Sequence, residues 1–396
     1  MSPDNNDQIQ VYRLARLRTE LERQDCAGAV FADAINVRYA TGSRNMQVWT
    51  LRNPARYVFV ATAGPVVMFE FSGCAHLLEG LSAIDEVRNS TGCFYFTAGP
   101  NLVERAQRWA AELAELVSRH GGGNTRLAVD RINPEGHAAL RAEGITVLDG
   151  QSIAEHARCI KSPDEIAAQR HALTVVEAAF DSMQAELSPG ISENQIWARL
   201  NQTNAELGGE YIETRLLSSG PRTNPWYQEA GKREIENGDL VAVDADLIGP
   251  GGFFADISRT FLCGDAKPSG AQRDLYALAH EQVHHNLDLL RAGTTFSEFS
   301  RKSWTMPLPY RQNRYMSLIH GAGLCGEYPY IPYPEDFDAK GYDGRIEANM
   351  TLCVESYIGA ADAREGVKLE QLVKVNEVGP PTPLSDYPFD SRLLGD

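Results

Sequence analysis

Acidic residues interrupt several apolar, strand-like segments in the second half of the chain, and this pattern constrains the fold more than any other feature. The run Leu240–Asp246 is typical of a buried strand and ends in Asp244 and Asp246. Side chains at positions i and i+2 of a strand share a face, so these two carboxylates are expected to point together. The turn sequence Gly249–Gly252 then predicts a hairpin that returns Asp256 to their neighbourhood. Three carboxylates in one small region are unfavourable unless cations neutralise them.

Three further polar residues occur in similar surroundings. His320 precedes a glycine turn at the predicted end of a strand, while Glu355 and Glu370 lie within apolar strand segments. Five carboxylates and one imidazole suit two divalent ions of the hard or borderline type, such as Mn, Fe, Co or Zn. The alternative for the first three acids is a solvated hairpin, but their apolar neighbours disfavour it. The predicted metal ligands are therefore Asp244, Asp246, Asp256, His320, Glu355 and Glu370.

The order of the predicted elements divides the chain into two domains. Residues 1–158 alternate helical and strand-like segments, which predicts an α/β domain. Ser162 and Glu165 form a capping box with proline between them, so a long helix is expected from there to about Glu186. Residues 159–396 are expected to contain two helices followed by a mostly antiparallel sheet.

Composition excludes several classes of function. The net charge is −16, and phosphate binding requires a Lys/Arg surface, so nucleic acid is not an expected partner. Residues 1–8 lack the basic and apolar regions of a signal peptide, and no apolar run reaches membrane-spanning length. The seven cysteines form no CxxC pair, which disfavours disulfides and Cys-type zinc sites. We therefore expect a cytoplasmic protein that acts on a small molecule.

A second metal-binding pattern occurs at His280–His284, which spells HExxH. In this pattern two histidines share one face of a helix and bind zinc. The alternative is an ordinary amphipathic helix, because Leu275, Val283 and Leu287 mark an apolar side. No third ligand stands out downstream, so we predict that this segment does not bind metal.

The predicted ligands occur in a recognisable order along the chain. They lie in the phrases GDLVAVDADL (238–247), ADISRTF (255–261), HGAG (320–323) and GVKLE (366–370). In these phrases the chain resembles the pita-bread superfamily, which includes creatinase and the methionyl and Xaa-Pro aminopeptidases. The segment AINVRYATG (34–42) is similar to the creatinase and Xaa-Pro type. The resemblance implies an N-terminal creatinase-like α/β domain, a C-terminal pita-bread α+β catalytic domain and a homodimer.

Within that superfamily the chain looks most similar to the dimethylsulfoniopropionate lyase branch. The phrases that suggest it include NMQVW (45–49), SGPRTNPWYQEA (219–230) and LCVESYIG (352–359). Asp246 is also typical of this branch, since the peptidases usually have glycine there. The resemblance implies the same six ligands. It also implies a metal-dependent lyase that cleaves dimethylsulfoniopropionate, or a related β-substituted propionate, into acrylate and dimethyl sulfide.

One position departs from both groups of relatives. At the place of Gly326 the peptidases carry a second histidine and the lyases an acid, to which the resemblance assigns proton abstraction. We expect Glu327, or a tyrosine such as Tyr315, to take that role as general base. If the substrate differs instead, the second hypothesis is a metal-dependent C–N hydrolase of the Xaa-Pro dipeptidase or creatinase type. The third is a metal-free binding protein.

Aromatic residues near the ligand segments are candidates for substrate binding. A sulfonium or ammonium leaving group is cationic, and each aromatic face binds such a group with about 0.5–2 kcal/mol. Ordinary packing is the alternative for each ring. The predicted substrate-binding residues are Trp49, Trp226, Tyr227 and Tyr328.

Overall fold

The structure, a computed structural model, describes residues 3–395 of the chain. Its contacts divide it into two units, Met1–Arg158 (unit 1) and Cys159–Asp396 (unit 2). None of the helices in residues 3–395 combines the length and the apolar composition that a bilayer crossing requires.

Unit 1 is built on a six-stranded mixed sheet with the order β4-β3-β2-β1-β5-β6. Strand β1 pairs parallel with β5 and antiparallel with β2, so the carboxyl ends of β1 and β5 meet the start of β2 at one edge. The strands are β1 Gly28–Phe31, β2 Tyr57–Ala61, β3 Val66–Glu70, β4 Glu86–Asn89, β5 Arg126–Val129 and β6 Thr146–Asp149.

The helices of unit 1 cover this sheet. They are α1 Pro3–Arg23, α2 Ala34–Thr41, α3 Gln47–Arg52, α4 Tyr95–Ala98, α5 Leu102–His120, α6 Pro134–Ala142 and α7 Gly150–Arg158. Helix α5 is amphipathic, and its buried face, which includes Trp109, Leu113 and Leu116, packs on the apolar side chains of β1, β2 and β5. The all-buried pattern of β1, β2 and β3 is that of central strands with both faces covered.

Unit 2 begins with two helices and continues as short strands. Its helices are α8 Pro163–Glu186, α9 Glu193–Glu206, α10 Gly270–Leu289, α11 Phe296–Lys302, α12 Pro334–Lys340 and α13 Ser391–Leu394. The predicted capping box is confirmed, because the Ser162 hydroxyl accepts from the Glu165 backbone and the Glu165 carboxylate accepts from the Ser162 backbone. Helix α8 ends at Glu186, as predicted.

Three antiparallel sheets form the rest of unit 2. Their orders are β11-β10-β7, β12-β9-β8 and β14-β13-β15-β16-β17. The strands are β7 Tyr211–Ile212, β8 Leu217–Ser219, β9 Leu240–Asp244, β10 Leu247–Ile248, β11 Phe254–Ala255, β12 Ser258–Leu262, β13 Ile319–Ala322, β14 Gly326–Ile331, β15 Thr351–Ile358, β16 Val367–Lys374 and β17 Thr382–Pro383. The apolar side chains on one face of β15 and β16, including Val354 and Leu369, pack with those of α10 and α11. The opposite face of these two strands is therefore available for a polar site.

Candidate metal centre

The turn after β9 brings the three aspartates together. Strand β9 pairs antiparallel with β12, and Asp244 lies directly opposite Ser258. The intervening strands β10 and β11 form the hairpin that returns Asp256, which confirms the sequence expectation. Asp244, Asp246 and Asp256 each offer an oxygen within 4.8 Å of the others.

The backbone reason for this convergence differs from the prediction at one residue. Strand β9 ends at Asp244, and Asp246 lies beyond it with φ at 39°, in the left-handed region. Strand alternation therefore does not place Asp246. Its position is held by the Thr214 hydroxyl, which donates to its carboxylate, and by its own backbone N–H, which donates to Asp256 Oδ1 at 3.3 Å.

Adjacent strands of the five-stranded sheet supply the other three predicted ligands. Glu355 on β15 lies directly opposite Glu370 on β16. His320 lies on β13 at an irregularity in the pairing with β14, and its Nε2 is 3.2 Å from Glu355 Oε1. The same Nε2 lies 3.8 Å from oxygens of both Asp256 and Glu370. All six predicted ligands thus converge, and we call Asp244, Asp246, Asp256, His320, Glu355 and Glu370 the carboxylate cluster.

The carboxylates of the cluster are buried close together, and nearby positive charges do not balance their negative charge. Burial, followed by the charges of neighbouring carboxylates, raises the pKa values of Asp246 and Asp256 well above the usual range. Burial opposes a charged His320, but its hydrogen bond with Glu355 and the charges of Glu355 and Glu370 raise the pKa of His320 to about 9. Both directions indicate an excess of negative charge in a buried site.

Three cluster neighbours were not predicted from the sequence. Lys368 is fully buried, and its Nζ lies 2.6 Å from Glu355 Oε2 and 3.4 Å from oxygens of Asp244 and Glu370. The Ser258 hydroxyl lies within 2.7 Å of oxygens of Asp244 and Glu370. Cys353 offers a thiol within 4.8 Å of Asp256, His320 and Glu370. Lys368 and Cys353 each lie two residues from a predicted ligand on the same strand, so strand alternation was the signal that pointed to them.

The residues present fit a pair of divalent ions. Glu370 Oε1 is buried and has no hydrogen-bond partner among the described residues, which is unfavourable unless another group binds it. With all five carboxylates ionised and Lys368 protonated, the site carries five minus one, or four, negative charges. Two divalent cations match that charge. Oxygen and imidazole donors are the ligands that Mn, Fe, Co and Zn accept.

Three aromatic residues lie beside the cluster. Trp226 is buried against Tyr357, and Tyr227 stacks on Tyr315 with ring centroids 5.6 Å apart. The Lys368 Nζ lies 4.6 Å from the centroid of the Tyr315 ring. Burial, and then the charge of Glu355, raise the pKa of Tyr315 well above 10. An aromatic wall thus borders the carboxylates.

Two other predicted residues form contacts outside the cluster. Glu327 is the neighbour of Gly326 on β14, so the two positions face opposite sides of the strand, and Glu327 forms a buried ion pair with Lys161 at 2.5 Å. Tyr328 stacks on Tyr342 and packs edge-on against Phe296. The structure therefore does not support Glu327 as proton acceptor or Tyr328 as a substrate contact.

Trp49 belongs to unit 1. It lies on α3 and packs against Phe71 and Phe96, with centroids 6.0 and 6.2 Å away. Both contacts are edge-on, so within unit 1 this residue is part of an aromatic group.

The HExxH segment lies on a helix, α10, as predicted. The rings of His280 and His284 are 3.9 Å apart and contact Phe389. Burial, His284 and Arg259 lower the pKa of His280 to about 4. Within residues 3–395, no group of three potential ligands includes either histidine.

Comparisons with known proteins identify the family. The profile of metallopeptidase family M24 matches residues 167–377. The chain belongs to metallopeptidase family M24. Enzymes of this family use divalent metal ions, which agrees with the composition of the carboxylate cluster.

The similarity extends over nearly the whole chain in two curated relatives. The dimethylsulfoniopropionate lyase DddP of Roseovarius nubinhibens is 39% identical over 97% of this chain and 87% of that protein. The enzyme of the same name from Roseobacter denitrificans is 38% identical over the same shares. The predicted resemblance to the lyase branch of this M24 family is confirmed.

Solved structures show the fold. The Xaa-Pro dipeptidase from Bacillus anthracis superposes with a TM-score of 0.76 at 20% identity, covering 96% of this chain and 99% of that one. The prolidase from Pyrococcus horikoshii gives a TM-score of 0.74 at 19% identity, with the same coverage. The predicted fold class of this M24 protein is confirmed.

Proposed function

We propose that this protein is a metal-dependent lyase that cleaves dimethylsulfoniopropionate, or a closely related β-substituted propionate, into acrylate and dimethyl sulfide. The observation that carries the proposal is the similarity to two DddP enzymes over 97% of the chain. The convergence of six candidate metal ligands in one site supports it, because metal-assisted elimination requires such a site. In this proposal the six residues of the carboxylate cluster hold two divalent ions, which we expect to be iron or another of Mn, Zn and Co.

The chain's own residues would bind and orient the substrate. Divalent ions held by the carboxylate cluster would supply Lewis acidity, which makes the proton α to a carboxylate easier to remove. Trp226 and Tyr227 present aromatic faces to the cationic sulfonium group. As the proton leaves the α carbon, the electron pair of that C–H bond forms the C=C bond, and the β carbon–sulfur bond breaks with its pair on sulfur.

The proton acceptor in this proposal is Tyr315 rather than Glu327. Tyr315 lies beside the cluster, whereas Glu327 forms an ion pair with Lys161. Burial and the charge of Glu355 keep the Tyr315 hydroxyl protonated in the metal-free site, so this role requires the tyrosinate form, which bound divalent cations would favour. Because Gly326 carries no side chain, the position that holds an acid in the lyase branch is open. A Cβ atom added there would meet only His320 Nδ1, at 4.0 Å, among the described residues.

A hydrolase acting on C–N bonds is the second candidate function. The M24 family profile favours it, but Gly326 also replaces the second histidine of the peptidases, which counts against it. The fold alone does not distinguish the two, since the solved structures named above are a dipeptidase and a prolidase. Loss of the acid would not affect attack by a metal-activated water.

A direct assay distinguishes these functions. The purified protein, loaded separately with Fe(II), Mn(II), Co(II) or Zn(II), is incubated with dimethylsulfoniopropionate, and dimethyl sulfide is measured by gas chromatography and acrylate by chromatography. Parallel reactions with Xaa-Pro dipeptides are followed by release of proline. The lyase proposal expects both elimination products in equal amounts and no proline. Proline release without dimethyl sulfide would replace it with the hydrolase.

Gly326→Asp provides the matched variant, with Gly326→Ala as its control. The open space at this position leaves room for the new carboxylate beside His320. We expect Asp at this position to raise the elimination rate by about 10²–10⁴-fold if proton abstraction limits it, the range typical of a positioned general base, and Ala to leave it unchanged. If neither the parent nor Gly326→Asp produces dimethyl sulfide with any metal, the chain is not a lyase of this class.

We also propose that the protein is a homodimer located in the cytoplasm. The resemblance to creatinase supports the dimer, and the absence of a membrane-crossing helix from residues 3–395 is compatible with the location. Light scattering of the purified protein tests the first proposal, and fractionation of the cells that produce it tests the second.

A further inference from the structure

A cavity of about 350 Å³ opens at one edge of the sheet of unit 1. Its lining includes Ala32 and Asp130, which directly follow β1 and β5, and Tyr57, which begins β2. Small-molecule pockets commonly have volumes of about 300–1,000 Å³. In open α/β sheets, ligands bind outside the carboxyl ends of the strands. None of the lining residues belongs to unit 2.

Two adjacent residues supply opposite charges to this cavity. The Asp130 carboxylate accepts hydrogen bonds from the backbone of Ala32 and Asp33 and from Asn36 Nδ2, at 2.8 to 3.1 Å. A carboxylate has about four acceptor positions, so one is left for a ligand. The Arg131 Nη1 donates to Leu51 O at 2.5 Å and lies 3.8 Å from Asp33 Oδ2. Both contacts involve Nη1, so the N–H groups of Nε and Nη2 remain for a ligand. The cavity thus has a fixed anion beside a cation.

Asp130 is partly buried and lacks a compensating cation among the described residues. Among the described residues no basic side chain forms an ion pair with it. Burial, with a smaller contribution from Asp33, raises the pKa of Asp130 to about 6. A cationic group in the cavity could therefore form an ion pair with Asp130 without displacing another basic side chain of unit 1.

Aromatic rings and one thiol form the remaining walls. Tyr57 contacts Trp109 edge-on, with centroids 6.3 Å apart, and Phe94 lies next to Cys93 in the lining. The backbone carbonyl of Cys93 accepts a hydrogen bond from Asn133 Nδ2 at 2.8 Å, which ties this loop to the start of α6. Aromatic walls suit an apolar group or a cation.

We propose that this cavity binds a small zwitterion, either an α-amino acid or a betaine. Its cationic group would lie against Asp130, its carboxylate against Arg131, and its apolar part between Tyr57, Phe94 and Trp109. The cavity supplies both charges and the apolar walls from one unit, so this site does not depend on the carboxylate cluster or on the activity proposed for it.

Alkylation of Cys93 by iodoacetamide in the full chain reports on occupancy of the cavity. The rate at each cysteine is measured by peptide mass spectrometry with L-phenylalanine, L-leucine, glycine betaine or dimethylsulfoniopropionate present. We expect at least one of these compounds to slow alkylation of Cys93 by about tenfold or more, equivalent to about 1.4 kcal/mol. Cys74, half-buried in the same unit but absent from the lining, serves as the internal control and should react at an unchanged rate.

Charge specificity is tested on the unaltered protein and on one variant. L-phenylalaninamide lacks the carboxylate and N-acetyl-L-phenylalanine lacks the ammonium group, so each should protect Cys93 at least tenfold less well than the parent amino acid. Arg131→Gln should abolish protection, while Arg52→Gln, which removes the same charge from an exposed residue of α3, should retain it. Equal protection by the zwitterion and both analogues, protection only by a planar base such as adenine, or no protection by any zwitterion would overturn the proposal.

Discussion

The carboxylate cluster and the HExxH segment of α10 contain similar residue types, and they differ in how the backbone presents them. Four of the six side chains of the cluster come from strands of two sheets, and Asp246 and Asp256 lie in connections between strands. Residues distant in sequence therefore meet at one point. His280 and His284 lie on one helix face, where they contact each other and Phe389. No third ligand reaches them within residues 3–395.

The comparison shows that a short helical motif such as HExxH does not by itself supply enough ligands for a metal ion. A helix places two side chains side by side at positions i and i+4, but the third and fourth ligands must come from elsewhere in the fold. Neighbouring charges, not burial, separate the two histidines, because burial disfavours the charged form of both. The positive charges of His284 and Arg259 lower the pKa of His280 further, whereas the acids around His320 favour its charged form.

Loss of a cluster ligand should have the largest effect. Asp256→Asn removes a carboxylate that lies within 4.8 Å of Asp244 and Asp246 on one side and of His320 and Glu370 on the other. We expect metal affinity to fall by more than the roughly 10–100-fold that follows loss of a supporting group, and activity to disappear with it. Metal content after dialysis, measured by plasma emission spectrometry, checks this.

The matched control is His280→Asn on α10. It should leave metal content and activity unchanged. Loss of metal from His280→Asn, with retention in Asp256→Asn, would reverse the assignment of the two regions.

Much of the cluster was predictable because its ligands obey local rules. The glycine turn predicted the hairpin that brings Asp256 to Asp244, and the capping box at Ser162 predicted the start of α8. The position of Asp246 was predicted correctly for a wrong reason, since it lies on a turn with positive φ and not on a strand.

Other features depend on contacts between distant segments. Glu327 pairs with Lys161, which is 166 residues earlier in the chain, and no local pattern indicates such a pair. Lys368 was overlooked because basic residues are usually exposed, although its alternation with Glu370 places both on one face of β16. The carboxylates that pair with Lys368 come from β9, β15 and β16, so the pairing can be recognised only in the folded structure.

Removal of Lys368 should lower the stability of the metal-free protein more than that of the metal-loaded protein. Lys368→Met removes the cation that contacts Asp244, Glu355 and Glu370. Loss of one partner of a buried ion pair costs about 3–5 kcal/mol, so we expect the metal-free protein to lose about this much free energy of unfolding. Because bound metal replaces the missing positive charge, the metal-loaded protein should lose less free energy of unfolding. Denaturant unfolding with chelator or with metal measures both.

Lys161→Met is the matched control, because it breaks the buried pair with Glu327 away from the cluster. We expect it to destabilise the metal-free and metal-loaded proteins equally. If Lys368→Met also destabilises both forms equally, Lys368 has only a packing role.

The two histidine sites should respond to pH in opposite directions in the metal-free protein. The pKa of His320 is raised to about 9, so its contribution to stability is present below pH 6.5 and is lost as pH rises through 9. This contribution amounts to roughly 3 kcal/mol. The pKa of His280 is lowered to about 4, so its contribution is present above pH 6.5 and is lost as pH falls toward 4.

Unfolding free energies measured from pH 4 to 9.5 in chelator test this contrast. His320→Asn should flatten the alkaline side of the profile, and His280→Asn the acidic side. A profile in which His280→Asn flattens the alkaline side would contradict the electrostatic difference between the two regions.

The smallest effect is expected at the aromatic border of the cluster. Tyr227 stacks on Tyr315 and is 45% exposed, so Tyr227→Leu removes one aromatic face with limited loss of packing. A single cation–aromatic contact contributes about 0.5–2 kcal/mol, which predicts a rise in KM of about 2- to 30-fold for a sulfonium substrate with little change in kcat. Tyr328→Leu is the control, because Tyr328 stacks on Tyr342 and is not part of this border; it should lower stability and leave KM unchanged. An equal rise in KM in both variants would show that the aromatic border does not recognise the cation.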